Sequence, residues 1–120
     1  MSASYQLNAE NGIVRVSGTG EISPQFGTAM IEQSIKFAKE NGLKLFLYDL
    51  RQMSLTEDLF TLYSRPKLAR GLGTPPDSRI AVLCARRDAK MSFLETTANN
   101  AGFLHRVFTD ESQALEWLKT

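Results

Sequence analysis

The chain has 120 residues, 42% hydrophobic and 22% charged, with a formal charge of +1. That balance describes one globular domain over residues 1–120 with a single core, and it excludes a disordered chain or one built mainly to hold nucleic acid. No segment approaches the roughly eighteen apolar residues of a membrane span, the first residues carry no basic or apolar leader, and one cysteine, Cys84, leaves no internal disulfide to form. The expectation is a cytoplasmic protein with no integral membrane association.

The chain opens with a predicted hairpin: Tyr5 to Leu7 and Ile13 to Val16 are short alternating runs, and Asn11-Gly12 supplies the positive φ angles of a tight turn. Gly18-Thr19-Gly20 then reads as a break, after which Ser23-Pro24 starts a helix with Ser as N-cap and Pro in the first turn. Phe26, Met30 and Phe37, flanked by Ile31, Ile35 and Ala38, form its apolar stripe, and Gly42 closes it.

Lys44 to Asp49 reads as a central strand, because Leu45-Phe46-Leu47-Tyr48 is apolar without alternation and so is suited to cover on both faces. Ser54-Leu55-Thr56-Glu57 fits a capping box and predicts a second helix, with Leu59, Phe60, Leu62 and Tyr63 on its apolar side. Ile80 to Cys84 is a further buried strand, Asp88 caps a third helix ending at Gly102, Arg106 to Phe108 is a short strand, and Asp110 with Gln113 opens the last helix. The order is β-β-α-β-α-β-α-β-α, which predicts an α/β fold: a mixed, mostly parallel sheet with an N-terminal hairpin and about four helices.

These residues resemble the STAS superfamily, and within it the SpoIIAA-like branch of small bacterial proteins. The resemblance runs nearly end to end, through GIVRVSGTGEIS, KLFLYDLRQMS, RIAVLCARRDAKMSFLETTANNAG and VFTDESQALEWL. It implies a regulatory protein that binds a protein partner. In the superfamily's anti-sigma-factor antagonists the loop after the central strand carries an Asp-Ser pair whose Ser is phosphorylated. Counted from Asp49 without gaps, those two places fall on Glu57 and Asp58, so no hydroxyl stands in the acceptor place; with Ser54 placed there, Met53 replaces the Asp. The resemblance therefore implies a module without that serine switch, in which Glu57 and Asp58 add permanent negative charge to a helix first turn.

Chemistry beyond binding finds little footing. A receiver-type aspartate needs further acids and a lysine around a metal, which Asp49 lacks, and Asp49 instead suits hydrogen bonding to the turn that follows it. His105 and Cys84 lack a third residue to orient the imidazole, and Gly71-Leu72-Gly73 lacks the rest of a dinucleotide fingerprint. From Arg65 to Lys90 seven basic residues face Asp77 and Asp88, a locally basic stretch best read as solvated helix ends and loop charges. The expectation is thus a non-enzymatic regulatory module with no cofactor, no metal and no catalytic residue. Its partner-binding residues are Asp49, Arg51, Ser54, Glu57 and Asp58. The alternative is a carrier or sensor of a small apolar or amphipathic ligand in a pocket lined by Phe26, Phe60 and Tyr63. The uncovered edge of the hairpin at Tyr5 to Leu7 leaves room for a homodimer.

Overall fold

The computed structural model describes residues 4–55, 77–86, 92 and 104–120. Among these, six strands and two helices follow in the order β1 (Ser4–Glu10), β2 (Ile13–Ile22), α1 (Pro24–Asn41), β3 (Leu45–Asp49), β4 (Met53–Leu55), β5 (Arg79–Leu83), β6 (Leu104–Phe108) and α2 (Glu111–Leu118). The strands lie in the order β1-β2-β3-β5-β6, and β4 pairs with the end of β2. β1 is antiparallel to β2, whereas β2-β3, β3-β5, β5-β6 and β2-β4 are parallel.

Alternation along the strands builds two apolar layers, one on each face of this mixed sheet. Val14, Val16, Phe46, Tyr48, Val82 and Val107 meet Met30 and Ala38 of α1 on one side. Ile13, Leu47, Ala81, Leu83 and Phe108 meet Ala114 and Leu118 of α2 on the other. β3 is the middle plank, and its Phe46, Leu47 and Tyr48 are all buried.

Local signals account for the element ends. Asn11 (φ 55°) and Gly12 (φ 79°) close the hairpin as a two-residue turn with both residues in the left-handed region. The Ser23 hydroxyl accepts from the Phe26 N–H at 3.2 Å, and Gly42 (φ 65°) ends α1. Asp110 accepts from the Gln113 N–H at 3.1 Å to start α2. Arg79 closes the far end of α2, donating to the Trp117 carbonyl at 2.9 Å and lying over the Trp117 ring at 5.6 Å. This member of the basic stretch is a helix-end residue, and Lys44 pairs with Asp77 at 2.5 Å.

Three expectations change. Gly18-Thr19-Gly20 does not break the chain: β2 runs through to Ile22, because β1 pairs with it as far as Thr19 and β4 takes over from Gly20. Ser54 is not a helix cap. It sits in β4 opposite Glu21, where ladder pairing replaces the capping box. The fold is α/β with a mixed sheet, and two helices lie among the described residues where about four were expected. The helices expected after Ser54 and after Asp88 fall outside the described residues.

Gly18 explains how β4 reaches the sheet. A Cβ there would lie 2.6 Å from the Ser4 carbonyl oxygen and 2.9 Å from Met53 Sδ, so only glycine lets β1, β2 and the β4 entry converge. Gly18→Ala is expected to destabilise the fold by about 1–3 kcal/mol in a denaturant melt.

A second constraint ties α1 to β3. The Ser34 hydroxyl donates to the Ile31 carbonyl at 2.7 Å, which leaves Tyr48 to donate its phenol proton to Ser34 Oγ, also at 2.7 Å. Burial pushes the Tyr48 phenol up to about 12, so that proton stays in place through neutral pH. Tyr48→Phe leaves Ser34 bonded to Ile31 and should cost about 0.5–1.5 kcal/mol. Ser34→Ala strands a buried phenol and should cost more, about 1–3 kcal/mol, an order that paired urea melts will read.

Candidate functional site: the turn after the central strand

β3 leaves the core at Asp49, the first residue of that strand to carry a charge. On the α2 face of the sheet its carboxylate, with the side chain 13% exposed, becomes the hub of the turn that follows. Asp49 Oδ1 accepts from the Arg51 backbone N–H at 3.2 Å and from Arg51 Nε at 2.9 Å, and Oδ2 accepts from Arg51 Nη2 at 2.8 Å. One residue thus engages both oxygens with its planar fork while its own N–H closes an Asx-type turn.

The backbone is pinned as well. The Leu50 N–H donates to the Leu83 carbonyl at 2.8 Å, the Met53 N–H to the Leu50 carbonyl at 3.1 Å, and the Gly20 N–H to the Gln52 carbonyl at 3.2 Å. Arg51 and Gln52 stand exposed at its tip.

Two residues remote in sequence complete the cluster. Arg15, in register with Leu47 on β2, lies 3.5 Å from Asp49 Oδ2 and forms a short ion pair with Glu111 at the start of α2. Arg51 Nη2 also lies 3.5 Å from Glu111 Oε1. Two guanidinium groups therefore face two carboxylates, and the N-terminus of α2 is tied to the turn through them.

The sequence offered a signal for Arg15, an arginine inside the apolar run Ile13-Val14-Arg15-Val16, which a strand covered by a helix tolerates only with a partner. It offered none for Glu111, 96 residues away.

Of the residues expected to bind a partner, Asp49 and Arg51 are brought together. Ser54 lies along β4, and Glu57 and Asp58 fall outside the described residues. Of the expected pocket, Phe26 packs edge-to-face on Tyr5 at 5.4 Å between centroids, and Phe60 and Tyr63 fall outside the described residues. A shallow recess lies instead on the α2 face, bordered by Asn11, Arg15, Leu47, Glu111, Leu115 and Lys119.

The electrostatics hold Asp49 in its charged form. The hydrogen bond from the Arg51 side chain, against the opposing effect of burial, holds the Asp49 carboxyl below the usual carboxylate range, with the charges of Arg51 and Arg15 acting in the same sense. A carboxylate so held neither donates nor takes a proton readily near neutrality. Among the described residues no group of three or more His, Cys, Asp or Glu side chains is placed to hold a metal ion, and no helix is long and apolar enough to cross a membrane. His105 pairs with Ile80 in register, four residues before Cys84, which directly follows β5. That separation is about 13 Å at strand rise, too far for a nucleophile and base.

No protein-family model matches this sequence, and no curated protein does. Solved structures do. An anti-sigma factor antagonist from Mycobacterium paratuberculosis superposes with a TM-score of 0.66 at 17% identity, covering 99% of this chain and 96% of that one. A Shewanella loihica protein of the DUF3478 family, with a SpoIIAA-like fold, gives 0.61 at 16% identity over 97% and 93%. The anti-sigma factor antagonist SpoIIAA in its unphosphorylated form gives 0.59 at 13% identity over 97% and 98%. The chain has the SpoIIAA-like α/β fold, and the resemblance read from its residues is shown at that level.

The carboxylate makes a pH-dependent contribution of known sign. Its folded pKa lies below the unfolded value of about 3.9, so the stabilisation is present above that pH and is lost as pH falls through the folded pKa. Asp49→Asn should flatten the fall of unfolding free energy below about pH 4 while leaving the slope between about pH 6 and 8 unchanged, as read from urea melts across pH.

Proposed function

We propose that the chain is a non-enzymatic regulatory module that binds a protein partner through the turn beginning at Asp49, without the serine phosphorylation switch of the anti-sigma factor antagonists. The observation that carries this reading is the fixed pose of that turn: the Asp49–Arg51 fork and three backbone hydrogen bonds hold an exposed Arg51 and Gln52 at the end of the sheet. A partner meeting a surface already ordered loses less conformational entropy on binding. Support for the regulatory class comes from two of the structural neighbours, which are anti-sigma factor antagonists.

The recognition surface in this reading comprises Asp49, Arg51 and Ser54, together with Glu57 and Asp58, which follow in the sequence and carry negative charge. Asp49 acts mainly by orienting Arg51. The carrier alternative has less behind it, since the Phe26 ring is already engaged by Tyr5.

Quantitative capture from a lysate of the source organism tests the reading. Wild type is compared with the double variant Arg51→Glu, Gln52→Ala, and thermal melts confirm that both are folded. The expected result is a protein retained in stoichiometric amount by wild type and reduced about tenfold or more by the variant, an effect of roughly 1.4 kcal/mol at the interface. Equal retention by both, or no protein above the bead control, would overturn it. A native mass of 13.4 kDa with nothing added would also discard the carrier alternative.

A further inference from the structure

The outer edge of β1 is long and regular, and among the described residues no strand pairs with it. Sheet edges are normally kept from pairing by lysine, proline, a bulge or shortness. β1 has seven residues, SYQLNAE, with neither lysine nor proline, and its register to β2 runs one-to-one from Ser4↔Thr19 to Glu10↔Ile13 without a bulge. Among the described residues β2 is its one neighbour.

Which backbone groups face outward follows from the turn. A two-residue loop of the Asn11-Gly12 kind makes the flanking pair, Glu10 and Ile13, a hydrogen-bonded pair. Alternation then turns the N–H and C=O of Ser4, Gln6, Asn8 and Glu10 toward β2, and those of Tyr5, Leu7 and Ala9 away from it.

From this we infer that β1 pairs antiparallel with β1 of a second copy of this chain, about a two-fold axis at Leu7. In that register Leu7 meets Leu7, Tyr5 meets Ala9, Gln6 meets Asn8 and Ser4 meets Glu10. The outward groups of Tyr5, Leu7 and Ala9 complete one another as hydrogen-bonded pairs, three residues from each copy. The strand's single charge, Glu10, faces a neutral serine, so no like charges oppose each other. Tyr5 and Leu7, half-buried on the α1 face, gain apolar cover from their counterparts. The axis stands perpendicular to the sheet, so the two sheets become one with both α1 helices on the same side. This surface lies at the opposite margin of the sheet order from β6 and does not use the Asp49 turn.

Two measurements on the full chain test it. Sedimentation from about 1 μM to about 1 mM spans the affinities expected of a strand-edge contact. It should show the 13.4 kDa chain passing to twice that mass. Over the same range, amide exchange should slow at Tyr5, Leu7 and Ala9 in step with dimer formation, while Gln6 and Asn8, bonded within the hairpin, stay protected throughout. The double variant Gln6→Glu, Asn8→Glu sets carboxylates opposite one another in the dimer. Within its own hairpin the new Glu at position 8 faces Arg15 and the one at position 6 faces Ser17, so the fold is retained. The variant should remain monomeric at concentrations where wild type is mostly dimer.

A wild-type monomer at every concentration overturns the inference. So does a dimer that survives the double variant, which would place the contact elsewhere. Protection at Tyr5, Leu7 and Ala9 that is independent of concentration would mean that another part of the same chain covers the edge. Protection gained only on adding a different protein would mean that a foreign strand does.

Discussion

Everything positioned in this fold depends on burying β3 from both sides. Phe46 and Tyr48 face α1, Leu47 faces α2, and all three are buried. Burying a large apolar side chain is worth about 1.5–3 kcal/mol, and a slip of one residue would exchange the two faces. The register of β3 is therefore strongly specified. Since register determines where the strand leaves the core, it also determines that the first charge to emerge is Asp49. The site is an outcome of packing: two hydrophobic layers decide which side chain stands at the strand end, and the chemistry of an aspartate decides what the next four residues do.

The individual contacts around Asp49 are not strong stabilisers. Ion pairs between partly exposed side chains contribute about 0–1 kcal/mol each, and Arg51 and Glu111 are 42% and 38% exposed. What distinguishes the cluster is connectivity. Arg51 is held by its own backbone N–H, its Nε and its Nη2 on one carboxylate, while Arg15 links that carboxylate to Glu111 on α2. The turn, β2 and α2 thus share one network whose effect is orientation, with little gain in free energy. A planar guanidinium suits this role because two parallel hydrogen bonds fix its plane as well as its position; a lysine would supply charge without direction.

The parts of the fold that were legible in the sequence are those governed by local physics. Asn11-Gly12, Ser23, Gly42 and Asp110 each act within a few residues of themselves, and each does what its type predicts. The unalternating run of β3 announced a strand covered on both faces. The failures share a different origin. Ser54-Leu55-Thr56-Glu57 satisfies the local pattern of a capping box, yet Met53–Leu55 forms a strand, because β2 extends past Gly18 and offers Gly20–Ile22 as a partner ladder. That extension requires Gly18 to sit against Ser4 and Met53, residues 14 and 35 positions away, and no local signal encodes such a contact. A glycine read as punctuation was a glycine needed for close approach. The cluster divides the same way: Asp49 and Arg51 are neighbours in sequence and meet within one turn, whereas Glu111 reaches them only through the folding of α2 onto the sheet.

The two surfaces singled out belong to opposite physical types, which bears on how the molecule can use both. The Asp49 turn presents side chains whose backbone is already satisfied, so a partner of the kind proposed there would gain from charge and shape and be selected by them. The β1 edge presents backbone groups in register, where nearly any extended strand can form the ladder and selectivity rests on which side chains oppose one another. An edge of that kind risks indiscriminate pairing unless the preferred occupant is always at hand. A second copy of the same chain meets that condition, since its concentration rises with the hazard it relieves. In the proposed dimer the copies join at β1, whereas the turn proposed for recognition follows β3, two strands further into the sheet. Pairing the edges therefore leaves both turns free and doubles their number on one rigid sheet, so a partner carrying two matching sites would bind with the advantage of effective concentration and no further contact.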